Sequence, residues 1–144
     1  MAEPADVLIV LTSHAAMGAT GKPTGFWLEE FTTPYYVFAD AGARIEIATI
    51  AGGAAPVDPQ SLSSEGEAPG SVARYRKDAA LQDRLAATRA LREVAGRDFD
   101  IVFMPGGHGT MWDLPESAEL ASLVARTLER GAVVAAVCHG PAGL

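Results

Sequence analysis

The stretch Val7-Leu8-Ile9-Val10-Leu11, residues 7–11, is an uninterrupted run of apolar side chains. A strand buried on both faces of a parallel sheet has such a run, because neither of its faces meets water. We therefore expect residues 7–11 to form the first strand of a parallel sheet. The glycine-rich segment from Ser13 to Thr24 would then be a loop at the carboxyl end of that strand, where open α/β sheets bind ligands.

Further strands and helices are expected to alternate along the chain. Strands are predicted from apolar or alternating patterns at 44–50, 99–104 and 132–137. Helices are predicted at 26–41, kinked or interrupted at Pro34 and closed by Gly42, at 78–95, and from a capping box at 113–116 to Gly131. Residues 52–78 are rich in Gly, Pro and Ser and are predicted to be a loop.

This alternation predicts an α/β fold in which a mostly parallel, flavodoxin-like sheet is flanked by helices on both faces. With 144 residues and 49% hydrophobic residues, the chain is expected to be one domain over residues 1–144.

Composition narrows the classes of function. The formal net charge is −7 and only 11 residues are Lys or Arg, which argues against nucleic-acid binding. The N-terminus has no basic region, and the apolar run at 7–11 is too short for a signal peptide or a membrane span. The single cysteine cannot close an intrachain disulfide, so we expect a cytoplasmic protein that has no membrane partner.

That cysteine, Cys138, follows the last predicted strand, with Ala136 two residues before it and Gly140 two residues after it. Small residues at these positions allow the sharp strand-to-helix turn that holds a nucleophile exposed. A helix beginning near Pro141 would lower the pKa of the thiol, and His139 could activate it further. The alternative is a buried structural cysteine with His139 as a chance neighbour.

The segment Met104-Pro105-Gly106-Gly107-His108-Gly109 follows another predicted strand, at the same edge of the sheet as Cys138. Its glycines would let a backbone N–H point into the cleft as an oxyanion donor, and the amide of His139 would be the second donor. The alternative is a tight turn that uses glycine for its geometry alone. His14 and His108 would line the pocket. No metal site is predicted, because further ligands at suitable spacing are missing. Nucleotide binding is not predicted either, because Gly18 to Gly25 lacks the required spacing.

Glu29 and Glu30 interrupt an apolar stretch before Pro34. Adjacent helical residues point about 100° apart, so one carboxyl group would face the cleft while the other reaches solvent. A carboxyl group in apolar surroundings could stay protonated and move protons. An exposed acidic pair near a helix start explains the same residues.

Together, VLIVL, TGFWLEEFTTPYYVFADAG, IVFMPGGHGTMWDLP and AAVCHGP resemble the ThiJ/PfpI family of the class I glutamine amidotransferase-like superfamily. They look most like its branch of glyoxalase III enzymes and heat-inducible chaperones. The resemblance implies a nucleophilic Cys138, a partner His139, oxyanion donors at Gly107 and His139, and Glu30 as the acid in the cleft. It also implies a cofactor-independent conversion of methylglyoxal, a small carbonyl substrate. We further expect a homodimer.

Family members continue beyond the point that corresponds to Leu144, and the acid that orients the histidine usually comes from that later part. We therefore expect this chain to be a fragment, truncated after the nucleophile turn. Three other functions remain open. A glutaminase is disfavoured, because its histidine comes far downstream of the cysteine. Isonitrile hydration by a related pocket is a second alternative, and a redox-sensing or holding chaperone without turnover is a third.

Overall fold

A computed structural model describes residues 3–62 and 70–144. Within these ranges one sheet is formed by β1 (Asp6–Leu11), β2 (Arg44–Thr49), β3 (Arg89–Ala90), β4 (Ile101–Met104) and β5 (Val133–Ala136). Every neighbouring pair of strands is parallel, and the spatial order is β3-β2-β1-β4-β5. The predicted α/β fold is confirmed.

Helices lie on both faces of this sheet. They are α1 (Leu28–Asp40), α2 (Gly70–Arg76), α3 (Ala79–Ala86), α4 (Leu91–Val94), α5 (Thr110–Asp113) and α6 (Ala118–Glu129). The described ranges also contain four 3-10 turns, at Gly18–Thr20, Pro59–Ser61, Leu114–Glu116 and Gly140–Gly143. None of the helices in the described ranges combines the length and the apolar character that crossing a lipid bilayer requires.

The central strand β1 separates two apolar cores. Its residues Val7 to Leu11 are all fully buried, as the opening stretch of sequence predicts. Ile9 belongs to the same core as Phe31 of α1, while Leu8 belongs to a second core together with Leu120 of α6. Burying a side chain of this size contributes about 1.5–3 kcal/mol, so residues 7–11 anchor both helical layers.

Two predictions between β2 and β4 are wrong. The loop predicted at 52–78 contains α2, although its positions 63–69 lie outside the described residues. The single helix predicted at 78–95 is divided into α3 and α4 by strand β3, which pairs with β2. The Thr88 hydroxyl contacts Thr49 and donates to the carbonyl of Gly53, and these contacts with another segment override the local helical pattern.

The predicted cap of α6 is also wrong. Ser117, not Asp113, caps this helix, and its hydroxyl accepts from the Leu120 N–H at 3.1 Å. The Asp113 carboxylate instead accepts from the Thr12 hydroxyl and the Ser13 N–H, so it joins α5 to the end of β1. Helix α1 runs through Pro34 without interruption. Of the two outcomes expected at Pro34, a kink or an interruption, the interruption is therefore wrong.

The loops that follow β4 and β5 lie side by side. Met104 and Ala136, the last residues of the two strands, are register partners in the parallel sheet. The chain therefore leaves both strands at the same height and on the same edge of the sheet. This arrangement brings the Gly106 loop next to Cys138.

Candidate active site at the ends of β4 and β5

Cys138 lies in the turn between β5 and the 3-10 turn Gly140–Gly143. Its φ is +53°, and no other non-glycine residue in the described ranges has a positive φ. Such a conformation costs about 1–2 kcal/mol for a residue with a Cβ atom. The residue is exposed. The turn therefore presents the thiol to solvent on a strained backbone, as a nucleophile turn does.

Packing explains why Gly140, two residues after Cys138, has no side chain. A Cβ atom on Gly140 would lie 2.1 Å from the carbonyl oxygen of Met104 at the end of β4. No larger residue fits there without moving the backbone. The expectation that small residues flank a sharp turn agrees with this contact.

Glu30 reaches the same place from the first turn of α1. Its Oε1 accepts a hydrogen bond of 3.0 Å from the backbone N–H of Gly106. Glu30 is partly buried, whereas the neighbouring Glu29 is exposed. Of the two carboxyl groups considered from the sequence, Glu30 is therefore the one that faces the loop after β4.

Cys138, Glu30 and the backbone amide of His139 converge at Gly106. A Cβ atom at this position would lie 2.7 Å from Oε1 of Glu30, 2.8 Å from Cβ of Cys138 and 2.9 Å from the backbone nitrogen of His139. All three distances are shorter than a normal contact. The absence of a side chain at Gly106 is therefore what allows the three groups to meet.

Two backbone amides approach the sulfur. The N–H groups of His139 and Gly107 interact with the Cys138 thiol and act to lower its pKa. One more contact fixes the loops that carry them. The Thr110 hydroxyl lies 2.7 Å from the carbonyl oxygen of Gly107 and 3.2 Å from that of His139. Thr110 was not singled out from the sequence, because a threonine that follows a glycine-rich turn carries no distinctive pattern.

The pKa of the Cys138 thiol is raised overall, contrary to the expectation from the sequence. Partial burial of the thiol contributes most, followed by the negative charge of Glu30 and the hydrogen bond between the two side chains. The amides of His139 and Gly107 oppose this shift but do not outweigh it. A 3-10 turn over Gly140–Gly143 follows the sulfur.

His139 contacts both Cys138 and a second histidine, His108. Nδ1 of His139 lies 3.6 Å from Sγ of Cys138, and the His139 ring is 5.0 Å from the His108 ring, measured between centroids. His14, the other histidine considered for the pocket, stacks on Trp112 with centroids 5.0 Å apart. The buried Asp58 lies next to His108 and was missed from the sequence, since it occurs within the segment predicted to be a loop.

A cavity of about 250 Å³ opens beside Glu30, and its walls are formed by Glu29, Glu30, Thr33, Pro34 and Val137. This volume lies below the range of drug-sized pockets and suits a small molecule. In the part of the chain that the structure describes, no group of three His, Cys, Asp or Glu side chains is arranged to hold a metal ion. The chemistry available is a thiol, an imidazole, a carboxyl group and two amide donors.

Comparisons with known proteins agree on one family. The model of the DJ-1/PfpI family matches residues 23–144. Glyoxalase 3 of Candida albicans is 32% identical over 141 residues, covering 94% of this chain and 58% of its own length. Glutathione-independent glyoxalase HSP31 of Saccharomyces cerevisiae is 31% identical over 141 residues, covering 96% of this chain and 59% of its own length.

Solved structures agree with these relatives. The crystal structure of glyoxalase III from Candida albicans superposes with a TM-score of 0.84 at 29% identity, covering 96% of this chain and 59% of that one. The Rapid Encystment Protein of Francisella tularensis superposes with a TM-score of 0.89 at 38% identity, covering 97% and 61%. The chain thus spans less than two thirds of the length of each of these relatives.

Proposed function

Because this chain belongs to the DJ-1/PfpI family, we propose that it is a cysteine-dependent, glutathione-independent enzyme of the glyoxalase type. It would convert methylglyoxal and similar 2-oxoaldehydes to 2-hydroxy acids without a cofactor. The convergence of Cys138, Glu30 and the His139 amide around Gly106 carries the proposal. The glyoxalase names of relatives at about 30% identity support it.

The first step is addition of sulfur to the aldehyde. The Cys138 thiolate forms a bond to the aldehyde carbon, and the π electrons of the C=O bond move to oxygen. The amides of Gly107 and His139 stabilise that oxyanion, an interaction worth about 3 kcal/mol per donor. Protonation of the oxyanion gives a hemithioacetal.

The second step moves hydrogen between the two carbons. Glu30 or His139 removes the proton from the former aldehyde carbon, and the electron pair forms an enediol as the ketone oxygen takes up a proton. A proton then returns to the second carbon while the hydroxyl on the former aldehyde carbon gives up its proton and becomes the C=O of a thioester of the 2-hydroxy acid. Water then cleaves the C–S bond, which releases the acid and restores the thiol. The sum is one oxoaldehyde and one water to one hydroxy acid, so no oxidant or reductant is needed.

The test is lactate formation from methylglyoxal by the wild-type protein and by the Cys138→Ala and Glu30→Gln variants. We expect both variants to lose at least about 100-fold in kcat, the usual contribution of a proton-transferring or nucleophilic group. Glu129→Gln, at the exposed end of α6, serves as the control and should keep wild-type turnover. Equal rates in the wild type and Cys138→Ala would contradict the proposal.

One observation also favours a redox-sensing function. Cys138 is exposed and its thiol is hydrogen-bonded to Glu30, so Glu30 could donate a hydrogen bond to a sulfinic acid formed there. Under mild peroxide treatment, a sensor would gain two oxygen atoms, about 32 Da in intact mass, at Cys138 before any methionine reacts. Oxidation confined to methionines would exclude this second function.

A further inference from the structure

Asp58 is a buried carboxylate that accepts two hydrogen bonds within the described part of the chain. Only 1% of its side chain is accessible. Oδ1 accepts from the Gln60 N–H at 2.9 Å, and Oδ2 accepts from the Thr24 hydroxyl at 3.0 Å. Burial of a carboxylate is costly unless a cation or several donors compensate for the loss of water. Among the described residues, His108 is the one basic group within 4.0 Å of this carboxylate.

Asp58 is held firmly by its backbone. Its N–H donates to the carbonyl of Phe26 at 2.9 Å, and its carbonyl accepts from Ser61. Residues 26 and 57 form an isolated bridge next to the start of α1. The carboxylate is therefore fixed relative to α1, the helix that carries Glu30.

His108 has a nitrogen that needs a partner. Its Nδ1 is buried and has no hydrogen-bond partner among residues 3–62 and 70–144, yet it lies 3.9 Å from Oδ2 of Asp58. The side chain as a whole is 44% accessible. The accessible surface therefore belongs to the other atoms of the side chain, and the buried nitrogen faces the carboxylate.

We propose that Asp58 is a positioning residue that holds the proton of neutral His108 on Nδ1, so that Nε2 is presented to the substrate as a proton acceptor. A carboxylate next to one nitrogen of a histidine favours the proton on that nitrogen and leaves the other nitrogen unprotonated. The inference rests on the proposed function for its consequence, since the neutral Nε2 would accept from the hydroxyl group of the hemithioacetal formed on Cys138.

Other titratable groups near His108 act on the same site. His139 from the turn after β5 lies 5.0 Å away between ring centroids, and it contacts Cys138. Glu30 from α1 binds the amide of Gly106, two residues before His108. His139 cannot replace Asp58, because an imidazole does not supply the negative charge that favours a proton on Nδ1.

The direct test is the tautomer of His108, measured by long-range ¹H–¹⁵N correlation in ¹⁵N-histidine-labelled protein. The chain has three histidines, and His108→Gln assigns the signal. In the wild type we expect neutral His108 to carry its proton on Nδ1. Asp58→Asn should move the proton to Nε2, whereas Thr24→Val, which keeps the carboxylate, should not. A wild-type His108 with its proton on Nε2 would overturn the proposal, even if Asp58→Asn fails to fold.

A double-mutant cycle on methylglyoxal turnover tests whether Asp58 acts through His108. We expect Asp58→Asn to lower kcat by roughly 10- to 100-fold, the usual effect of losing an orienting partner, with little change in KM. In a His108→Gln background the same substitution should cause no further loss. Multiplied losses would show that Asp58 only stabilises the fold. If the wild type forms no lactate, the glyoxalase proposal fails. The tautomer measurement still tests whether Asp58 holds the proton of His108 on Nδ1.

Discussion

The loop after β4 and the turn after β5 meet at the same sulfur but are held in different ways. Gly106 and Gly107 of the β4 loop are buried, and the carbonyl of Gly106 accepts from the Trp27 N–H at 3.0 Å. The β5 turn is exposed at Cys138, and its backbone is held in the left-handed region at φ +53°. One side of the site is fixed by packing, whereas the other is strained and open.

This difference fits the chemistry that we propose for each side. Oxyanion donors work best when they are already fixed, because they then need no rearrangement during the reaction. A nucleophile must instead be reachable by the substrate. We therefore expect substitutions in the β4 loop to act first on folding, and substitutions in the β5 turn to act on the thiol.

The largest expected effect is that of Gly107→Ala on stability. The residue has φ +114°, and a Cβ atom there would lie 2.2 Å from the carbonyl oxygen of Gly25. We expect a loss of about 2–4 kcal/mol in the free energy of unfolding, measured by urea denaturation, from backbone strain plus the clash. Gly42→Ala is the control, because Gly42 also has a positive φ, but apart from its chain neighbours no described residue has an atom within 4 Å of the added Cβ. It should lose only about 1 kcal/mol. Equal losses would mean that packing does not fix the β4 loop.

An intermediate effect is expected in the β5 turn. Cys138→Gly and Cys138→Ala both remove the thiol, but only glycine is free of strain at φ +53°. We expect the glycine variant to be more stable by about 1 kcal/mol in thermal or urea unfolding. If the alanine variant is the more stable of the two, the turn is not strained and the contrast between the loops disappears.

The smallest effect concerns ionisation of the thiol. Burial and the Glu30 carboxylate raise the pKa of Cys138, so its thiolate forms at a higher pH than that of an ordinary cysteine. Glu30→Gln removes the negative charge and should lower this pKa. We therefore expect faster alkylation by iodoacetamide at neutral pH and a lower midpoint in the pH profile of the rate, while turnover is lost. Slower alkylation in Glu30→Gln would show that the acid promotes ionisation instead.

Patterns that depend on neighbouring residues in the chain were predicted well. The run at 7–11 predicted a buried parallel strand, and the pattern at 132–137 predicted β5. Yet Val133 of β5 is 54% exposed, while every residue from 7 to 11 is fully buried. The two runs are similarly apolar. An apolar run indicates a strand, but it does not indicate whether that strand lies at the centre or the edge of the sheet.

Predictions that ignored distant partners failed. The segment 78–95 has helical spacing, but Thr88 bonds to Thr49, 39 positions away. Asp113 has the sequence of a helix cap, but Thr12 and Ser13 bind its carboxylate. The pKa of Cys138 was expected to fall from local dipoles, but burial of the thiol and then the charge of Glu30 raise it.

By itself, the sequence determined the alternation of strands and helices and the sharp turn at Cys138, since both depend on residues close together in the chain. Only the tertiary structure decided that Glu30 and Cys138 meet at Gly106 and that Asp58 faces His108. Residues 30, 58, 106 and 138 come from four different segments. Their approach follows from the order of the strands in the sheet and the packing of α1, which no local pattern of residues encodes.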